Sequence, residues 1–216
     1  MLRRTTFLTC AILFIAACAG RGGPSLDADK QALWQQQQDR AGAVNEWDMY
    51  ARGVLRRTGE AYNVNLRWQR EAGGEFTMTL EAPFGQGVLR IENSAPDQYR
   101  LRLPDGQTFI NDSPEALLVD VIGWSLPISG LDYWVRGLPD PRREYRHRLD
   151  AEGRARAISQ DGWDIDYLDY FSDPEQPPLP RRMSLGNDEL ALKLVIERWR
   201  AVKDEAPDSD LFPSFN

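Results

Sequence analysis

From Tyr62 to Leu103 the chain alternates apolar and polar residues with a period of two. Tyr62, Val64, Leu66 and Trp68 interleave with Asn63, Asn65, Arg67 and Gln69, and Phe76, Met78 and Leu80 with Thr77, Thr79 and Glu81. Leu89 and Ile91 then interleave with Arg90 and Glu92, and Tyr99, Leu101 and Leu103 with Arg100 and Arg102. Successive side chains of a strand point to opposite faces, so the pattern predicts a sheet with one buried and one wet face. Turn-forming residues separate the runs at Glu71 to Gly74, Asn93 to Asp97 and Pro104-Asp105-Gly106. Short turns join antiparallel neighbours, which predicts a meander that curves as one sheet. The same period returns after Pro141, in Tyr145, His147 and Leu149; in Trp163, Ile165 and Tyr167; in Met183 and Leu185; and in Leu190, Leu192, Leu194 and Ile196. Asp150 to Gly153 and Gly186 to Asp188 supply turns there, and Asp173 to Pro180 reads as a proline-rich loop.

Three stretches change to a helical period. From about Asp27 to Val44, with Ser25 as a cap, Trp34, Ala41 and Val44 form one narrow stripe beside the polar run Gln35 to Gln38. Ser113 as cap, Pro114 in the first turn, Glu115 at the positive end and Gly123 past the last turn delimit a second helix, with Leu117, Leu118, Val121 and Ile122 on one face. Beyond Pro127, Ser129 and Asp132 suggest a capping-box-like pair, Leu131, Trp134, Val135 and Leu138 line a stripe, and Gly137 and Pro139 end the helix. Both stripes need an apolar surface, which places these helices across the concave face of the sheet.

The amino-terminal end follows other rules. Arg3 and Arg4 precede an apolar body from Phe7 to Ala17 that is too short to span a bilayer, and Ile15-Ala16-Ala17-Cys18 has the form of a bacterial lipobox. Cys10 is a poorer site, because Thr9 is bulky and the apolar run would be halved. Ordinary secretory cleavage at the Ala-x-Ala-like segment is the alternative reading. Lipidation of Cys18 makes 1–17 a signal peptide, 18–26 a flexible tether, 27–203 the folded domain and 204–216 an acidic, disordered tail in which Leu211, Phe212 and Phe215 could dock. Lipoproteins with Asp directly after the cysteine stay in the inner membrane; Ala19 stands here, which resembles an outer-membrane sorting signal.

Charge and chemistry narrow the function classes. With 26 Lys+Arg against 33 Asp+Glu the net charge is −7, and loss of the signal makes the remainder more acidic, so bulk charge attracts neither nucleic acid nor an anionic surface. Cys10 leaves with the signal and Cys18 takes lipid, leaving no thiol to form a disulfide. Gly123-Trp124-Ser125-Leu126-Pro127 starts like a nucleophile elbow, but Pro127 replaces the second glycine and a helix precedes it. His147 has no acid or cysteine beside it to form a relay, and Asp161, Asp164, Asp166, Asp169 and Asp173 lack the spacing and glycine of a calcium loop. No enzyme activity, metal or cofactor is expected. In Ala82-Pro83-Phe84-Gly85-Gln86-Gly87 an aromatic ring stands between Pro83 and Gly85 at a hairpin tip, to fold back on the sheet edge or to touch lipid or ligand.

Taken in order, the lipobox, Trp34-Gln35-Gln36-Gln37-Gln38, Trp68-Gln69, Ala82-Pro83-Phe84-Gly85, Leu126-Pro127-Ile128, Trp134-Val135-Arg136-Gly137-Leu138-Pro139, Pro180 to Met183 and Ile196 to Trp199 resemble the LolB family of outer-membrane lipoprotein receptors. The resemblance runs from about Gln31 to Trp199; the tail after Val202 extends past the usual end of the domain. It implies a mainly β fold with α, an unclosed antiparallel β-barrel covered by short helices and enclosing an apolar cavity. It also implies a monomer anchored in the outer membrane and facing the periplasm, whose partners are a LolA-type periplasmic carrier and the acyl chains of lipoprotein cargo, with no nucleic acid. Under it Cys18 is the lipid attachment site, Pro83, Phe84 and Gly85 form a membrane-contact loop, and Trp68, Leu80, Leu118, Trp124, Leu131 and Trp134 are candidates for lining or covering the cavity. An assembly or scaffolding lipoprotein without lipid cargo is the competing reading.

Overall fold

The computed structural model describes residues 26–81, 88–95, 97–173 and 176–201. Cys18, the Ser25 cap, Pro83, Phe84, Gly85 and the tail from Asp204 lie outside these residues. The described chain begins with helix α1 (Leu26–Gly42) and continues through strands β1 (Trp47–Arg57), β2 (Glu60–Arg70), β3 (Phe76–Glu81), β4 (Val88–Ala95), β5 (Gln98–Arg102) and β6 (Thr108–Asn111). Helices α2 (Pro114–Ile122) and α3 (Ile128–Trp134) follow, then β7 (Tyr145–Leu149), β8 (Ala155–Gln160), β9 (Trp163–Tyr170), β10 (Pro180–Gly186) and β11 (Leu190–Ala201).

The strands form one antiparallel sheet in the order β6-β5-β4-β3-β2-β1-β11-β10-β9-β8-β7. Two meanders, β1 to β6 and β7 to β11, meet where the first strand pairs with the last, from Trp47 opposite Ala201 to Arg57 opposite Leu190. β6 and β7 stand at the ends of the order, so the curved sheet does not close. The expected alternation is kept: Leu66, Trp68, Met78, Ile91 and Leu101 are buried on the inner face, while Arg67, Arg90 and Arg102 are exposed on the outer. Turns run as the sequence predicts at Glu71, whose carbonyl accepts from Gly74 N–H at 2.9 Å, and at Leu103, whose carbonyl accepts from Gly106 N–H at 3.0 Å.

α2 ends as its signals require. The Ser113 hydroxyl accepts from the Ala116 backbone N–H at 3.2 Å, and Gly123, at φ +77, takes the left-handed backbone that favours glycine and donates to the Val119 carbonyl. The expected capping pair at the start of α3 is absent. Its cap is Pro127, without a side-chain bond; the Ser129 N–H donates to Glu115 Oε1 of α2 at 2.8 Å, and Asp132 turns to Arg70 and Arg136. A carboxylate from the preceding helix thus satisfies a donor that a local cap would have taken.

α1 packs on the far half of the sheet. Trp34 is 2% exposed, and its indole stacks on His147 of β7 with centroids 5.3 Å apart. Gly153, at φ +75 in the β7–β8 turn, lies against Leu33, so that a Cβ there would collide with the helix.

Candidate functional site

Between the inner face of the sheet and α2, α3 and the segment joining them lies a pocket of about 390 Å³, within the range of about 300–1,000 Å³ usual for small-molecule sites. Inward residues of three neighbouring strands supply one wall: Val64 and Leu66 from β2, Met78 and Leu80 from β3, and Leu89 from β4. Leu118 and Ile122 of α2, Leu131 of α3, and Trp124 and Leu126 between them form the opposite wall. Leu55, Leu192 and Leu194 of β1 and β11 complete the lining on the side of the central strand pair. Polar groups occur only at the rim, where Arg57, Thr58, Tyr62 and Glu81 join Pro104. Glu60 accepts a hydrogen bond from the Tyr62 hydroxyl there, which raises the phenol above its ordinary value. A pocket lined by aliphatic side chains, Met78 and the Trp124 indole selects apolar guests, because an unpaired polar group there would lose its hydration.

Of the predicted lining residues, Leu80, Leu118, Trp124 and Leu131 meet in this pocket. Trp68 and Trp134 stand apart from it, in filled parts of the interior. Trp68 is wedged edge-on between Trp47 and Phe76, at 6.1 and 5.8 Å. Trp134 donates from Nε1 to Gln160 Oε1 at 2.9 Å, 6.4 Å from the Trp163 ring. Sequence reading missed Leu55, Leu192 and Leu194 as lining: the inward phase of Leu192 and Leu194 was visible, but β1 with Leu55, and its pairing with β11, were not.

A charged joint holds α3 to the sheet beyond the far end of the pocket. Arg70 Nε of β2 approaches Asp132 Oδ1 at 2.9 Å, and Arg136 Nη2 approaches Asp132 Oδ2 at 3.7 Å. Arg136 donates to the Val44 carbonyl at 3.1 Å, and both guanidinium groups lie over the Trp47 ring at 5.0 and 5.1 Å. Neighbouring titratable groups serve structure. Burial pushes the Tyr167 phenol up, keeping it neutral as it donates to the Trp134 carbonyl at 2.9 Å. Burial alone would raise the Asp140 carboxyl, but the Arg142 side chain and backbone N–H hold it below its ordinary value. Among the described residues no group of three or more His, Cys, Asp or Glu is placed to hold a metal ion, and no helix is long and apolar enough to cross a membrane.

The sequence pattern of the family described as "Outer membrane lipoprotein LolB" matches residues 45–199. The chain belongs to the LolB family. An outer-membrane lipoprotein LolB of Nitrosococcus oceani is 36% identical over 198 residues, covering 91% of this chain and 97% of its own. A LolB of Stutzerimonas stutzeri is 33% identical, with 88% and 92% covered. Among solved structures, a LolA-superfamily protein from Nitrosomonas europaea aligns with a TM-score of 0.50 at 8% identity, covering 82% of this chain and 94% of its own. At that identity the likeness is one of fold alone.

Proposed function

We propose that this chain is an outer-membrane receptor that takes lipoproteins from a LolA-type periplasmic carrier and releases them into the bilayer, with acyl chains held in the pocket between sheet and helices. The carrying observation is the pocket itself, lined through its depth by Leu, Met, Val, Ile and Trp and polar only at its rim. In this reading 1–17 are removed, Cys18 carries the lipid anchor, 18–26 tether the domain, 27–203 form the receptor, and 204–216 lie outside it.

No covalent bond changes in such a transfer, so no nucleophile or cofactor is needed. Burial of each methylene contributes about 0.8 kcal/mol whether carrier, receptor or bilayer provides the apolar surroundings, so the direction follows from small differences among three similar environments. An open rim and a reversible apolar site suit that task better than a deep, tight one.

The test uses the mature chain with Cys18→Ala, which keeps every described helix and strand but lacks acyl chains. A carrier loaded with an acylated lipoprotein is mixed with it, and a pull-down asks which protein holds the cargo. Transfer supports the receptor; cargo left on a competent carrier beside a folded domain leaves the scaffolding role in its place. The connection between the paired ends Glu81 and Val88 carries Phe84. Phe84→Glu is expected to leave folding and cargo uptake near normal and to reduce delivery to vesicles, because a carboxylate does not enter the acyl region. Unchanged delivery removes Phe84 from the membrane step.

A further inference from the structure

The outer face of the sheet carries a feature that pocket and joint leave unused. Register places Arg198, Tyr50, Arg67, Thr79, Arg90 and Arg102 on one row across β11, β1, β2, β3, β4 and β5. All four arginines are exposed. Arg90 and Arg102 are directly opposite each other, and like charges in that relation destabilise a strand pair. Arg67 reaches Asp48 at 3.0 Å and Arg90 reaches Glu92 at 3.0 Å, whereas Arg102 has no ion pair among the described residues. Glu92 is shared with Arg100, so its charge is divided between two guanidinium groups. A chain with net charge −7 thus gathers positive charge on one sheet face, at a cost to its own strand pairing. Arg67 and Arg90 have carboxylate partners and Arg198 lies over the Tyr50 ring at 5.8 Å, so the uncompensated element is Arg102 set opposite Arg90. A break in the local rules that gains nothing inside points to a gain outside.

We propose that this arginine row docks on the anionic phospholipid headgroups of the membrane to which the protein is anchored. This deepens the receptor reading and rests on it, since that reading brings the domain to a bilayer surface. The row backs the pocket wall: Leu80 and Leu103 line the pocket from the inner face, and their strand neighbours Thr79 and Arg102 belong to the row. It also lies two residues inside the ends of β3 and β4 at Glu81 and Val88, and Glu81 is on the pocket rim. At about 3.3 Å per residue the row is roughly 7 Å from that end of the sheet, within the Debye length of about 8 Å at physiological salt. Headgroup phosphates accept from guanidinium in paired geometry, and the small Thr79 between Arg67 and Arg90 leaves room on the outer face for a phosphate to reach these exposed groups beside their carboxylate partners. Docking through this row sets the pocket mouth beside the bilayer while the outer face is held by charge.

The mature Cys18→Ala chain is tested for co-flotation with vesicles of phosphatidylethanolamine and phosphatidylglycerol, and with vesicles in which phosphatidylcholine replaces phosphatidylglycerol. Binding is expected only to the anionic vesicles and to weaken with salt. Arg102→Gln and Arg67→Gln should each lower the affinity about five-fold, and Arg102→Lys should restore most of it. The thermal midpoint of Arg102→Gln should match or exceed the parent's, because the change removes the opposition to Arg90; this separates lost docking from lost folding. Equal binding to both vesicle types, or undiminished binding by the glutamine variants, overturns the proposal. So does impaired uptake of cargo from a loaded carrier by Arg102→Gln with vesicle binding intact, which would assign the row to the carrier. Failure of the parent to take up cargo bears on the receptor reading alone, and vesicle binding alone decides the row.

Discussion

At the scale of single residues the pocket is a matter of which side chains point inward and how little polarity they carry. Leu80 is half-buried on β3, facing Leu118 and Leu131 across the pocket from the sheet side. Leu80→Glu puts a carboxylate on a wall it shares with Leu66, Met78 and Leu89, and the group either blocks the space or draws water in. The variant is expected to bind an apolar fluorescent probe at least roughly ten-fold more weakly while keeping its far-ultraviolet circular dichroism. Retained probe affinity would mean that the probe, and by extension an acyl chain, sits elsewhere.

At the scale of elements, α1 is held to the sheet by few groups, and one of them titrates. His147 is half-buried against Trp34 and flanked by the Tyr145 ring, and burial lowers its pKa below the ordinary value. A histidine whose folded pKa is depressed contributes stability that is present above its unfolded value of about 6.5 and lost as the pH falls through the folded value. Trp34 fluorescence should therefore report a loosening of α1 below about pH 6.5, and His147→Phe should remove that step. A step that persists in the variant assigns the titration to another group. The sequence showed the elements unevenly. α2 was legible to the residue, because Ser113, Pro114 and Gly123 act locally and each has a single backbone role. β1, β6 and β8 were missed: Gly53 breaks the apolar phase of β1, β6 offers only four residues, and β8 buries Ala155, Ile158 and Gln160 out of strict alternation. Leu80, Leu118 and Leu131 could be assigned an inward face because phase is a local property, and the structure sets them beside Trp124 in one pocket. Trp68 and Trp134 were not separable from them, since period two gives the face of a strand and not whether the space before it is filled.

At the scale of the whole molecule, two contacts join what the chain order keeps apart: the Arg70–Asp132–Arg136 joint between sheet and helices, and the β1–β11 pair between the meanders. Arg136 is buried and bonds to Val44 before β1 as well as to Asp132, so Arg136→Ala leaves a carbonyl and part of a carboxylate without partners. It is expected to cost about 3 kcal/mol, read as a lower urea midpoint with an unchanged slope; a loss below about 1 kcal/mol would show that Arg70 alone holds the joint. The β1–β11 pair governs timing. Trp47 cannot find Ala201 until nearly the entire chain has been made and moved to its compartment, and pairings between distant segments form late. Until then each meander presents an unpaired central strand beside an uncovered apolar face, a surface prone to wrong pairing. The same strand that completes the pocket wall with Leu192 and Leu194 is the last to arrive, so the newborn chain passes through an interval in which it is itself a client for whatever shields greasy surfaces in its surroundings.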